Sequence, residues 1–104
     1  MAGAGANDAA GNTTGDIVRR ILVIGNQRGL HARAAAMFVK TASAFDAEIA
    51  VRRDGTQVSG LSIMGLMMLA ASQGCEIELI ASGPEAAQAV EAIAGLVGAN
   101  FEED

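Results

Sequence analysis

An α+β open-faced sandwich, a four-stranded antiparallel sheet with its helices on one face in the order βαββαβα, is the fold this sequence predicts. Three observations carry that expectation. Four short runs rich in β-branched or alternating apolar residues end in turn-forming residues. Two longer segments repeat apolar residues at helical spacing, and each has a single face to bury, which places both on the same side of a sheet. Asp54-Gly55 supplies the left-handed backbone of a tight hairpin.

The elements follow in order. Strand one is the dense run from Ile17 to Ile24, broken by Gly25 and Asn26. Helix one begins near His31 and aligns Ala35, Phe38, Val39, Ala42 and Phe45 on one face, leaving Lys40, Thr41 and Ser43 outside it. In strand two Ala47, Ile49 and Val51 alternate with Glu48, Ala50 and Arg52, and strand three covers Thr56 to Ser59. Ser62 then caps a short second helix, expected over Ile63 to Ala71 and closed at Gly74. Strand four turns Cys75, Ile77, Leu79 and Ala81 inward and Glu76 and Glu78 outward. Gly83 and Pro84 mark the start of helix three, whose apolar face is Ala86, Ala89, Val90, Ile93 and Val97, with Gly95 its one weak position.

Composition excludes several classes. A chain of 104 residues suits one domain, and residues 1–15, made of Ala, Gly, Asn and Thr with one aspartate, lack the apolar periodicity that repays ordering. They are expected to form a disordered tail before a domain spanning residues 16–104. A single cysteine cannot build a disulfide framework, and neither a membrane-spanning run nor a cleavable leader is visible, so a soluble, cytoplasmic protein is expected. A net charge of −5 and only three aromatic residues argue against a nucleic-acid surface.

His31 is the sole histidine, in the run Gly29, Leu30, His31, Ala32, Arg33 where a turn enters helix one. One histidine without neighbouring cysteines is too poor a ligand set for a metal, and no adjacent nucleophile suggests a triad. No cofactor is expected. Phosphoryl acceptance suits the position better. The N–H groups of the first helical turn can hydrogen-bond phosphoryl oxygens, and the Arg33 guanidinium can stabilise charge as the group transfers. Gly29 is expected to let a partner approach closely.

The segment Gly29-Leu30-His31-Ala32-Arg33 resembles the active-site signature of HPr, the histidine-containing phosphocarrier family of the bacterial phosphotransferase system. A second segment, Ser62-Ile63-Met64-Gly65-Leu66-Met67, is similar to that family's regulatory-serine region, and the resemblance extends over about residues 16 to 100. One departure is Ala34, where many members carry proline; alanine leaves nucleophile and donors in place and is expected to loosen the preceding loop slightly.

The resemblance implies a stoichiometric carrier rather than an enzyme. His31 would accept a phosphoryl group through Nδ1 from the phosphohistidine of enzyme I and pass it to an enzyme IIA domain, with Arg33 in electrostatic support. It also implies that Ser62, a helix cap in its own right, is a candidate for phosphorylation by an HPr kinase/phosphorylase. The second helix holds more apolar surface than one stripe needs, so Ile63, Met64 and Met67 are expected in an exposed patch that docks partners. Arg28, Arg33 and Lys40 are expected to form a basic patch at the start of helix one, while Glu102, Glu103 and Asp104 gather negative charge at the terminus. Two other readings stand beside this one: a nitrogen-branch, NPr-type regulatory carrier, and a small split βαβ binding module in which His31 is an ordinary cap. A carrier that meets several partners through one surface is expected to be a monomer when free.

Overall fold

The structure is a computed structural model, and it describes residues 17–103. The expected tail, residues 1–15, lies outside the described residues. Seven elements occur in the predicted order: β1 (Ile17–Val23), α1 (Ala32–Ala42), β2 (Glu48–Arg53), β3 (Thr56–Ser59), α2 (Ile63–Met68), β4 (Glu76–Ser82) and α3 (Ala86–Gly98). A tight turn at Asn100–Glu102 follows α3.

The strands form one antiparallel sheet in the order β1-β4-β2-β3. β4, the last strand in sequence, pairs Leu22 with Ile77 on one side and Val51 with Leu79 on the other. Its inward positions Ile77, Leu79 and Ala81 are therefore covered from both flanks and are fully buried. The opposite face of the sheet carries Glu78 between Arg19 (3.6 Å) and Arg52 (3.1 Å), together with the exposed Ile17, Ile21 and Val23 of β1.

Both long helices pack on the apolar face. α1 buries Ala34, Ala35, Phe38 and Ala42, while Val39 and Phe45 are half-buried against the same core. α3 buries all five residues assigned to its apolar face, Ala86, Ala89, Val90, Ile93 and Val97. Nothing lies near the Cβ position of Gly95, so that glycine faces open space and costs helix stability only through its backbone freedom.

α2 is shorter than expected, ending at Met68 rather than continuing to Ala71. The chain turns left-handed at Ala70 (φ 54°), which sends the Ala71 carbonyl to the N–H of Leu30 at 2.9 Å and buries the Ala71 side chain. The freed carbonyl of Leu69 is taken by the Arg53 guanidinium at 2.9 Å. Two tertiary hydrogen bonds thus replace the helical continuation that local propensity favoured.

Candidate functional site

His31 is the N-cap of α1, with extended backbone (φ −74°, ψ 177°) and a carbonyl that accepts the first helical bond, from Ala35 N–H at 2.8 Å. The His31 side chain makes no capping hydrogen bond to this helix end. The first-turn N–H groups have no acceptor within the helix by geometry, so they remain available to an anionic group placed on or beside the histidine ring. Arg33 follows on the second helical residue, is exposed, and has no carboxylate within ion-pair distance among the described residues.

The loop that delivers His31 is held from below. Gly29 adopts φ +67°, and a Cβ there would lie 2.4 Å from the Ala71 carbonyl oxygen and 2.9 Å from Ser72 Cα. The close approach that Gly29 permits is therefore internal, to the chain leaving α2, rather than the approach of a partner expected from sequence. Leu30 is buried one residue later, so backbone hydrogen bond, glycine contact and apolar anchor all act within three residues of the ring.

Sequence reasoning missed two residues that complete the site. Glu103 accepts a hydrogen bond from His31 Nε2 through Oε2 and one from the Asn26 side-chain amide through Oε1 at 3.2 Å. Asn26 is buried, and its Nδ2 also donates to the Gly29 carbonyl at 2.9 Å. Because both partners are acceptors, the amide orientation is fixed, with Oδ1 left unpartnered among the described residues. The hydrogen bond from His31 is the main reason the Glu103 carboxyl is held below its ordinary range, against the opposing effect of desolvation; Asn26 and the charges of His31 and Arg28 add to it. In the sequence these two residues carried weak signals: Asn26 read as a strand breaker and Glu103 as part of a terminal acidic run.

Gln27, Arg28, Arg33, Glu102 and Glu103 line an open polar cleft of about 360 Å³ beside the histidine. Arg28 and Arg33 thus share one end of α1, as expected, but Lys40 does not join them. It occupies the last turn of α1, roughly 13 Å along the axis at 1.5 Å per residue, where it complements the negative end of the helix dipole. Ser62 caps α2, its Oγ accepting from Gly65 N–H at 2.9 Å. Ile63, Met64 and Met67 are exposed, with Met64 at 70% and its neighbour Met68 at 75%, while Leu66 and Leu69 carry the burial of this short helix. α2 packs against α1, and the chain leaving it bonds Leu30, the residue before the histidine. Among the described residues no group of His, Cys, Asp and Glu is arranged to hold a metal, and no helix is long and apolar enough to cross a membrane.

Comparison with known proteins places this architecture. Residues 18–99 match the family described as the PTS HPr component phosphorylation site. The phosphocarrier protein HPr of Neisseria meningitidis is 44% identical over 87 residues, covering 84% of this chain and 98% of its own length. The phosphocarrier protein NPr of Shewanella violacea is 42% identical over 86 residues, covering 83% and 94%. The crystal structure of HPr from Thermoanaerobacter tengcongensis superimposes with a TM-score of 0.80 at 41% identity, over 84% of this chain and 98% of that one. Fold and relatives together define a class, the small phosphocarrier proteins built on an open-faced sandwich. This chain belongs to the HPr family of the phosphotransferase system.

Proposed function

We propose that this protein is a cytoplasmic phosphoryl carrier that takes its group on His31 from the phosphohistidine of enzyme I and delivers it to an enzyme IIA. The observation that carries the reading is His31 at the N-terminus of α1, where its side chain makes no capping hydrogen bond. A phosphoryl group on the ring meets N–H donors that the helix itself does not use, and the positive end of the helix dipole stabilises its charge. Arg33, exposed and without a carboxylate partner among the described residues, stabilises the charge that spreads over the equatorial oxygens during in-line transfer. In each step an N–P bond to one histidine breaks as an N–P bond to the other forms, and the two proteins contribute mainly alignment.

The exposed Ile63, Met64 and Met67 form the docking surface, and Arg28 steers acidic partners toward the cleft. Lys40, two turns after Arg33 on the same face of α1, adds a cation at the far end of that helix. Ser62 is a candidate for modification by an HPr kinase/phosphorylase. Its Oγ is engaged as a cap, so phosphorylation would exchange a neutral acceptor for a charged one beside the docking surface.

Incubation with phosphoenolpyruvate and purified enzyme I tests the carrier reading. The intact mass should rise by one phosphoryl group that mild acid removes, and His31→Ala should take none. The match to an NPr relative at 42% identity supports a second reading, in which a nitrogen-branch enzyme I is the donor and the output is regulatory. Phosphorylation by that donor and not by the sugar-branch enzyme I selects it. Failure with both donors returns the protein to a binding module.

A further inference from the structure

We propose that Asn26 is a positioning residue for phosphoryl transfer, whose buried amide locks the peptide between Gly29 and Leu30 and through it fixes the point from which the His31 ring hangs. The proposal rests on the reading of His31 as the phosphoryl acceptor. It assigns the aim of that residue to a side chain five positions earlier, outside the run from Gly29 to Arg33.

In-line transfer asks the acceptor ring to be held to within about 0.5 Å, and a loop glycine works against that. Gly29 has no side chain to pack, and its backbone rotates more freely than that of any other residue. The peptide that follows it is nevertheless held at both ends. Its carbonyl, that of Gly29, accepts from Asn26 Nδ2 at 2.9 Å, and its N–H, that of Leu30, donates to the Ala71 carbonyl at 2.9 Å. The plane of this peptide cannot turn without breaking both bonds. Leu30 is buried and the His31 carbonyl already accepts the first bond of α1, so the attachment of the ring is set from both sides.

Asn26 stands on a fixed base. Ile24 accepts from Gly74 N–H at 2.7 Å and donates to the Cys75 carbonyl at 2.9 Å, and the Gly25 carbonyl accepts from Gln73 Nε2 at 3.0 Å. From that base Asn26 holds Gly29 twice, since its backbone carbonyl also accepts from Gly29 N–H at 3.2 Å across the turn formed with Gln27 and Arg28. The second amide hydrogen reaches Glu103 Oε1 at 3.2 Å. Asn26 is 2% exposed, the one buried polar residue among the described residues, and its Oδ1 has no hydrogen-bond partner there. An unpaired buried acceptor weakens a fold, so this oxygen is a burden carried for the two donors on the same amide. An aspartate of the same shape offers no such donors. As a carboxylate it would set oxygen against the Gly29 carbonyl and against Glu103.

The test compares the full natural chain with Asn26→Asp. Hydrogen exchange, read by NMR without any phosphoryl donor, should speed up about fivefold or more at the Leu30 amide relative to that of Leu79 in β4, the factor that corresponds to losing one neutral hydrogen bond locally. Single-turnover transfer from phosphorylated enzyme I, with the carrier concentration varied, should show a maximal rate lowered about tenfold or more and a half-saturating concentration within about twofold of the natural chain, because a misplaced ring loses alignment while α2 still docks. Asn26→Ala removes the donors without bringing a charge into the buried position and carries the same expectations, so the test does not depend on the aspartate variant folding. An unchanged maximal rate, a raised half-saturating concentration in its place, or Leu30 and Leu79 amides that lose protection equally overturns the assignment. A natural chain that takes no phosphoryl group from enzyme I overturns the carrier reading itself, an outcome distinct from these three.

Discussion

Substitution of Gly29 by alanine should destabilise the protein far more than the same substitution at Gly55, and the difference measures how firmly the histidine loop is seated on the chain after α2. Both glycines have positive φ, +67° and +82°, so each variant incurs the left-handed penalty of about 1–2 kcal/mol. Each also gains the same reduction in unfolded-chain entropy, which cancels in the comparison. At Gly55, in the β2–β3 hairpin, an added Cβ meets nothing within 4 Å. At Gly29 it meets the Ala71 carbonyl oxygen at 2.4 Å and Ser72 Cα at 2.9 Å, both backbone atoms that no rotamer change can move. Relief requires the loop to lift, which breaks the 2.9 Å bond from Leu30 N–H to Ala71 and disturbs a buried leucine. A lost hydrogen bond at about 1 kcal/mol and overpacking at about 1–3 kcal/mol put Gly29→Ala roughly 2–4 kcal/mol below Gly55→Ala. Urea unfolding of both variants reads the difference directly from the midpoints, provided the slopes agree. Equal losses in the two variants would falsify the picture of a loop clamped against Ala71.

Three further outcomes follow from individual side chains. Met64→Asp alters a residue that is 70% exposed, so it should change stability by no more than about 0.5 kcal/mol while slowing phosphoryl transfer from enzyme I; unchanged transfer kinetics would remove α2 from the docking surface. Ser62→Ala deletes the 2.9 Å cap bond to Gly65 and should cost about 1 kcal/mol in thermal or urea unfolding, and a neutral result would show that α2 is held by its packing alone. The Cys75 thiol is lowered from its ordinary range by hydrogen bonding from Ser72, side chain and then backbone, with Arg53 contributing charge and a contact at 3.3 Å. More thiolate is therefore present at a given pH, and alkylation by iodoacetamide should reach its plateau at lower pH than for an unperturbed thiol near about 8.5. Ser72→Ala should move that profile back up, and an unmoved profile would show that the serine does not govern the thiol.

The layout of the fold was legible because its signals are local and mutually consistent. Alternation in β4, the Asp54-Gly55 hairpin and the five-residue apolar face of α3 each reappear in the structure at the positions the periodicity assigned. His31 and Ser62 were also legible as helix starts, since a helix N-terminus depends on the few residues around it. The end of α2 was not. Apolar residues continue to Ala71, and the turn at Ala70 is set by a carbonyl required 41 residues earlier in the chain, at Leu30. Lys40 was misplaced for a related reason, because proximity in sequence to a helix start was read as proximity in space although eight residues of helix lie between it and His31.

The same distinction explains why the most intimate partner of the histidine could not be read in advance. Glu103 lies 72 positions from His31, and a terminal run of acidic residues ordinarily signals only solubility. What makes it part of the site is the burial of Phe101, which depends on the assembled core, and the amide of Asn26, which becomes a linker only when loop and terminus meet. Residues that form a site through backbone position can be found by motif, whereas residues that reach it through a tertiary turn become visible only when the chain closes on itself. His31, the N–H groups of its helix and Arg33 belong to the first kind, and Glu103 and Asn26 to the second. A variant that loosens the C-terminal turn while leaving Gly29 to Arg33 intact should therefore release the His31 ring from the Glu103 carboxylate and leave the start of α1 in place.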